Sequence, residues 1–258
     1  MLGLLAVAGL LAWQLAVAVP AQARAGDLDP SFGTGGKVVT DFAGQLDEAF
    51  AVAVQDNGRI VAAGRADESD VSALGDFALA RYLPDGSLDP GFGVDGKVKM
   101  DFTGAGGDDR VNAVAVQTDG RLVAAGHALD DWALARFMQD GTLDPSFGTG
   151  GKVTTGFAGG GTAAGLVAQS DAKLVAAGTA DAGTGSGPDF ALVRYRPDGS
   201  LDPGFGVAGK VTTDFGAGGI DRANALAVQA DDRLVAAGSP NNQFGFGSDV
   251  ALARYLRR

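Results

Sequence analysis

An all-β fold, a β-propeller of four four-stranded blades, is predicted by three observations. The chain repeats itself: Leu28–Gly33 reads LDPSFG, Leu88–Gly93 LDPGFG, Leu143–Gly148 LDPSFG and Leu201–Gly206 LDPGFG, at spacings of 60, 55 and 58 residues. A period of this size marks stacked units that bury their faces against one another. Within each unit, short runs of strand-forming residues are separated by hairpin-length turns, and outside the N-terminal stretch no long segment holds a helical period. An open arc of blades from a larger propeller fits the same pattern.

The elements follow in order. Leu2–Val19 is apolar or glycine apart from Gln14, and Pro20 precedes Ala21-Gln22-Ala23, an A-x-A pattern. Met1–Ala23 is therefore expected to be a secretory signal peptide; the other use of such a run is an uncleaved anchor. Residues 24–258 are expected to form one propeller domain with repeats at 28–87, 88–142, 143–200 and 201–258. The second repeat shows the unit. Lys97–Phe102 alternates as a strand, and Val111–Gln117 carries β-branched residues at alternate positions. Asp119-Gly120 favours a tight hairpin, Arg121–Gly126 and Trp132–Phe137 are the next strands, and Gln139-Asp140-Gly141 closes the unit.

Residue types agree with blades. Ala51-Val52-Ala53-Val54 and Ala113-Val114-Ala115-Val116 read as inner strands buried on both faces, small enough to crowd near an axis. Phe77, Tyr82, Trp132 and Phe137 lie on the later strands, where blades diverge. If AVAVQ is innermost, GKVxTDF is outermost. Lys37–Phe42 would then supply the fourth strand beside Val250–Tyr255 and close the ring, leaving few exposed edges.

The runs LDPSFGTGGKV, AVAVQ, RLVAAG and DFALARY resemble the delta-60 repeat, a bacterial β-propeller repeat of unknown function. The resemblance covers nearly all of Leu28–Tyr255. It implies the fold and brings neither an activity nor catalytic residues.

Composition excludes several classes. Without cysteine there is no lipobox anchor, no thiol catalysis, no thiolate zinc site and no disulfide staple. A net charge of −11 makes nucleic acid and anionic membrane poor partners. LDPSFGTGGK is not a phosphate loop, because neither a hydroxyl residue nor a helix follows its lysine.

Carboxylates recur in register. Asp29, Asp89, Asp144 and Asp202 lie in the LDP turns. Asp41, Asp101 and Asp214 end the TDF strands, with Gly156 breaking the set. Asp76, Asp131, Asp189 and Asp249 precede the ALAR strands, which carry Arg81, Arg136, Arg194 and Arg254. Recurrence in every repeat reads as turn chemistry and as Arg–Asp pairing between blades, so these are structural residues. No metal or other cofactor is expected, with Ca²⁺ the one ion such carboxylates would suit. Specificity belongs to loops that do not repeat. The loops before the inner strands share a face with those after the VAAG strands. That face offers Asp108, Asp109 and His127, the sole histidine, and the aromatic-amide loop with Asn241, Asn242, Phe244 and Phe246, suited to stacking on a sugar or peptide. No catalytic set emerges.

The expected function is an exported, non-enzymatic binding or interaction scaffold, secreted, periplasmic or at the cell surface. Its partner would be a protein or carbohydrate, with no membrane insertion after signal cleavage. The alternatives are a metal-dependent, lactonase-like propeller hydrolase and a structural envelope or adhesion repeat.

Overall fold

A computed structural model describes residues 24–43, 46–67, 75–104, 107–183, 185, 187–216, 219–240 and 249–257. The expected signal peptide, Met1–Ala23, lies outside them. Among the described residues, no helix is long and apolar enough to cross a membrane.

The strands form four antiparallel meanders. Blade 1 holds β1 (Asp47–Val54), β2 (Ile60–Ala66), β3 (Asp76–Tyr82) and β4 (Lys97–Met100). Blade 2 holds β5 (Asp109–Val116), β6 (Leu122–Ala128), β7 (Asp131–Phe137) and β8 (Lys152–Thr155). Blade 3 holds β9 (Gly161–Ala168), β10 (Leu174–Ala180), β11 (Asp189–Tyr195) and β12 (Lys210–Thr213). Among the described residues, blade 4 has three strands, β13 (Arg222–Val228), β14 (Leu234–Ser239) and β15 (Ala251–Tyr255). The chain is thus an all-β propeller arc, with GKV strands outermost.

One glycine explains a shared irregularity. Each inner hairpin slips register near its start, at Ala49/Ala51, Val111/Ala113, Ala177/Gly178 and Ala223/Ala225. The bulge pushes an inner-strand carbonyl against the VAAG glycine. A Cβ on Gly64, Gly126, Gly178 or Gly238 would lie 1.8–2.0 Å from that oxygen, so only glycine fits.

Packing runs between blades. The inner strand of each blade lies across the preceding sheet: β5 on β1–β3, β9 on β5–β7, β13 on β9–β11. Three hydrophobic clusters result, one per junction. Phe77 and Phe137 sit in the first, Trp132 and Tyr195 in the second, and Phe190 and Leu234 in the third. Each fully buried side chain of this size contributes about 1.5–3 kcal/mol. The expected position of the aromatics, on the later strands, is the observed one.

Two expectations are corrected. The continuously buried strands are the second and third of the two middle blades, such as β6 and β11, not the inner ones. Val52 and Val54 of β1 are two-thirds exposed, whereas their counterparts Val114 and Val116 pack on the first cluster, because no described sheet precedes blade 1 to cover that face. Nor does Lys37–Phe42 pair with β15 among the described residues. Lys37 instead bridges Gly33, and Thr40 Oγ1 lies 2.6 Å from the Tyr82 hydroxyl, laying the segment on blade 1. Thr155–Tyr195 and Thr213–Tyr255 repeat that contact at the next blades, and Met100 with Phe137 replaces it by an apolar pair.

Candidate functional site

The LDP corners come first, because they absorb one set of recurring carboxylates. Asp144 Oδ2 accepts Arg136 Nε at 2.8 Å, and its Oδ1 accepts the Ser146 N–H at 3.0 Å. The Arg136 guanidinium stacks 4.6 Å over Phe147 and donates to Pro197 O in blade 3. Arg81–Asp89 and Arg194–Asp202 repeat this, reaching Gln139 O and Arg257 O. The ion pair thus lies within one blade, and the other end of the guanidinium crosses to the next. That corrects the expected Asp–Arg pairing between blades. Burial alone would raise the Asp89 pKa, but the Gly91 N–H and Arg81 outweigh it and hold the carboxyl below its usual range. Asp144 and Asp202 behave alike. Asp29 and Arg254 are exposed; Asp29 accepts from Ser31.

The non-repeating face is built differently. The β5–β6 hairpin pairs Arg110 with His127, and Asp108 stands just ahead of β5. His127 is buried, with Nε2 3.3 Å from Asp108 Oδ2 and Nδ1 3.2 Å from Thr162 Oγ1 of β9. Asn112 donates to that hydroxyl at 3.1 Å and to Ala163 O at 2.8 Å. One direction of donation satisfies the whole row: Asn112 to Thr162, Thr162 to His127 Nδ1, His127 Nε2–H to Asp108. Burial pushes the His127 pKa down, although the Asp108 hydrogen bond opposes it, so the ring is neutral at pH 7.

Toward blade 1, the Arg110 guanidinium lies 5.2 Å over the half-exposed ring of Phe50. Beside it, Arg65 pairs with Glu48 at 3.0 Å. Two polar atoms of this wall are buried without a hydrogen bond, the acceptor Asp108 Oδ1 and the donor Arg110 Nε.

Of the residues singled out from sequence, Asp108 and His127 are brought together. Asp109, one residue along β5, is fully buried and serves a different cluster, Asp76–Asp101–Asp109. Asn241, Asn242, Phe244 and Phe246 lie outside the described residues. Phe50, Arg110, Asn112 and Thr162 were missed; hairpin register opposite His127 would have found Arg110, but only packing between blades adds the others.

A cavity of about 410 Å³ lies under the 28–42 segment, lined by Phe32, Val38, Thr40, Arg65 and Tyr82. It occupies the face of blade 1 that, on later blades, the preceding sheet covers.

A family profile described as "Domain of unknown function (DUF5122) beta-propeller" matches residues 55–92, 117–147 and 169–205, each stretch running from the inner-strand glutamine to the LDP phenylalanine. The chain carries β-propeller repeats. No functionally curated protein matches it. Among solved structures, it is similar to the endo-arabinase from Bacteroides thetaiotaomicron at 13% identity and TM-score 0.47, over 85% of this chain and 78% of that one. A thermostable family-43 glycoside hydrolase gives 12% and 0.40, over 80% and 70%. The α-L-arabinanase of Cellvibrio cellulosa, complexed with arabinohexaose, gives 10% and 0.37, over 79% and 72%. At these values the likeness concerns chain course and transfers no residue role. The expected function is nevertheless corrected. These similar structures are glycoside hydrolases, so the non-enzymatic scaffold is withdrawn, and the absence of enzymatic activity is no longer a premise.

Proposed function

We propose that the protein is carbohydrate-active, binding a neutral saccharide at the face centred on Asp108 and His127. One observation carries this reading: an orphaned acceptor, Asp108 Oδ1, and an orphaned donor, Arg110 Nε, stand in the same wall. A ligand hydroxyl both donates and accepts, so it carries what either atom lacks. Phe50 adds an apolar ring for the face of a sugar, and the net charge of −11 disfavours polyanionic glycans. Within the site, His127 holds Asp108 through Nε2–H, and Asp108 is the group placed to move a proton to or from a bound hydroxyl.

Calorimetric titration with neutral oligosaccharides, arabinohexaose among them, tests the binding, and reducing-end release tests cleavage. Binding that Asp108→Asn and Arg110→Met each weaken at least tenfold is expected. A folded protein that binds no member of the panel would sink the proposal. Protonation of His127 would turn Nδ1 from acceptor to donor against Thr162. Binding is therefore expected to weaken as pH falls through a value below the usual imidazole range, and His127→Gln to lose that dependence.

A further inference from the structure

The second and third sets of recurring carboxylates converge between blades. Asp76 opens β3, and Asp101 follows β4, the strand paired to it. Asp109 opens β5 of the next blade. One carboxylate oxygen from each lies within 4.8 Å of the others. Asp189, Asp214 and Asp221 form the same triad between blades 3 and 4.

The local cause is the Asp-Phe step after the outer strand. Phe102 packs on Phe77 at 5.1 Å and donates its N–H to Asp109 Oδ2 at 2.7 Å. Phe215 packs on Phe190 at 4.7 Å and donates to Asp221 Oδ2 at 2.7 Å. The exposed members, Asp101 and Asp214, each accept the N–H two or three residues on, from Gly104 and Gly216, both at 2.6 Å. What the described residues leave undone is the other oxygen: Asp109 and Asp221 are at most 1% exposed, and Oδ1 of each accepts no hydrogen bond among them. A buried lone pair without a donor is costly, and here it recurs in register.

The junction between blades 2 and 3 shows the alternative. Asp131 remains, but Gly156 and Gly161 stand where the other junctions have aspartate, and Trp132 replaces phenylalanine. Its indole N–H donates to Thr179 O at 3.1 Å, and a Cβ on Gly161 would lie 2.7 Å from that nitrogen. Losing both carboxylates goes with filling their space.

We propose that the two triads are divalent-cation sites, each taking one Ca²⁺ that bridges two blades. Ca²⁺ prefers about six to eight oxygen ligands in flexible geometry, so water completes a set of three carboxylates. Mg²⁺, which dehydrates reluctantly, fits less well. The sites differ in one respect. Lys99 Nζ lies 3.3 Å from Asp76 Oδ2 and offsets charge at the first triad, whereas Thr212 holds the equivalent place beside the other. Lys99 therefore weakens cation binding at the first triad.

Calcium chloride titrated calorimetrically into the chelator-treated full chain is expected to bind saturably, one ion per triad, with the melting temperature rising several degrees. Asp221→Asn removes one of the two events, and Lys99→Thr tightens the other several-fold. The second variant gains binding, so misfolding cannot imitate it. A chain folded by circular dichroism that shows no saturable Ca²⁺ binding into the low millimolar range overturns the proposal. So does binding that survives Asp109→Asn and Asp221→Asn together.

Discussion

At the corner after β7, Asp144 is held by Arg136, Arg121 and Ser146, and its pKa lies below the usual carboxylate range. At the junction between blades 1 and 2, Asp109 is as deeply buried, beside two further carboxylates. Burial and its neighbours Asp101 and Asp76 raise its pKa, although the Phe102 and Thr103 N–H groups work the other way. Both residues recur in register, and recurrence alone would file both as scaffolding. The difference lies in who satisfies the oxygen. Where the protein supplies every donor, an aspartate is finished architecture. Where it stops short, a ligand is wanted.

The comparison breaks most visibly at the corners. Arg136→Met leaves Asp144 buried with its main partner gone, and chemical denaturation should show a loss of about 3–5 kcal/mol. A loss below about 1 kcal/mol would mean that water enters the corner and that the pair is ornamental.

Asp109→Asn in the presence of chelator should act in the opposite sense. It removes a destabilised charge while keeping an acceptor for Phe102 N–H, so stability should hold or rise by roughly 1 kcal/mol. Clear destabilisation without Ca²⁺ would place Asp109 in the same class as Asp144.

Acid separates the two sets by sign. Asp89, Asp144 and Asp202 have folded pKa values below the unfolded one. Their contribution is present above about pH 4 and is lost as pH falls through the folded values. Asp109 has a raised value, so its contribution is present below about pH 4 and is lost as pH rises through the folded value. In chelator, the stability gap between Asp109→Asn and the parent should therefore widen from pH 4 toward neutrality. The gap between Asp144→Asn and the parent should shrink on acidification.

The smallest effect belongs to Tyr195→Phe, which deletes the 2.9 Å contact with Thr155 in a fully buried place, costing about 1 kcal/mol. With Thr155→Met added, the pair copies Phe137 and Met100 of the neighbouring junction, and thermal melts should recover part of the loss.

Fold class, strand order and the buried aromatics were legible in the sequence because they are local and repeated. Hairpin turns, alternating strand formers and the VAAG glycine each act within a few residues, and every blade states them again. The LDP corner was half legible: Asp and Arg were evident, but the crossing of the guanidinium to the next blade was not. Asp108 and His127 were named from loop position, whereas Thr162 and Asn112 meet them only through packing of β5 against β9. The triads were the least legible. Their members lie 7 to 33 residues apart along the chain, and sequence presents them as separate recurring sets.

What the sequence determined by itself is the propeller blade, since short-range turn chemistry and periodicity suffice to specify a four-stranded meander. What only the tertiary structure decided is which recurring carboxylates are satisfied. It also decided that, among the described residues, blade 4 has three strands, with residues 37–42 on blade 1 rather than on β15. The reason is physical. A hydrogen bond, an ion pair or an orphaned oxygen is settled at the junction between blades, where one sheet meets the next, and no local pattern records that meeting.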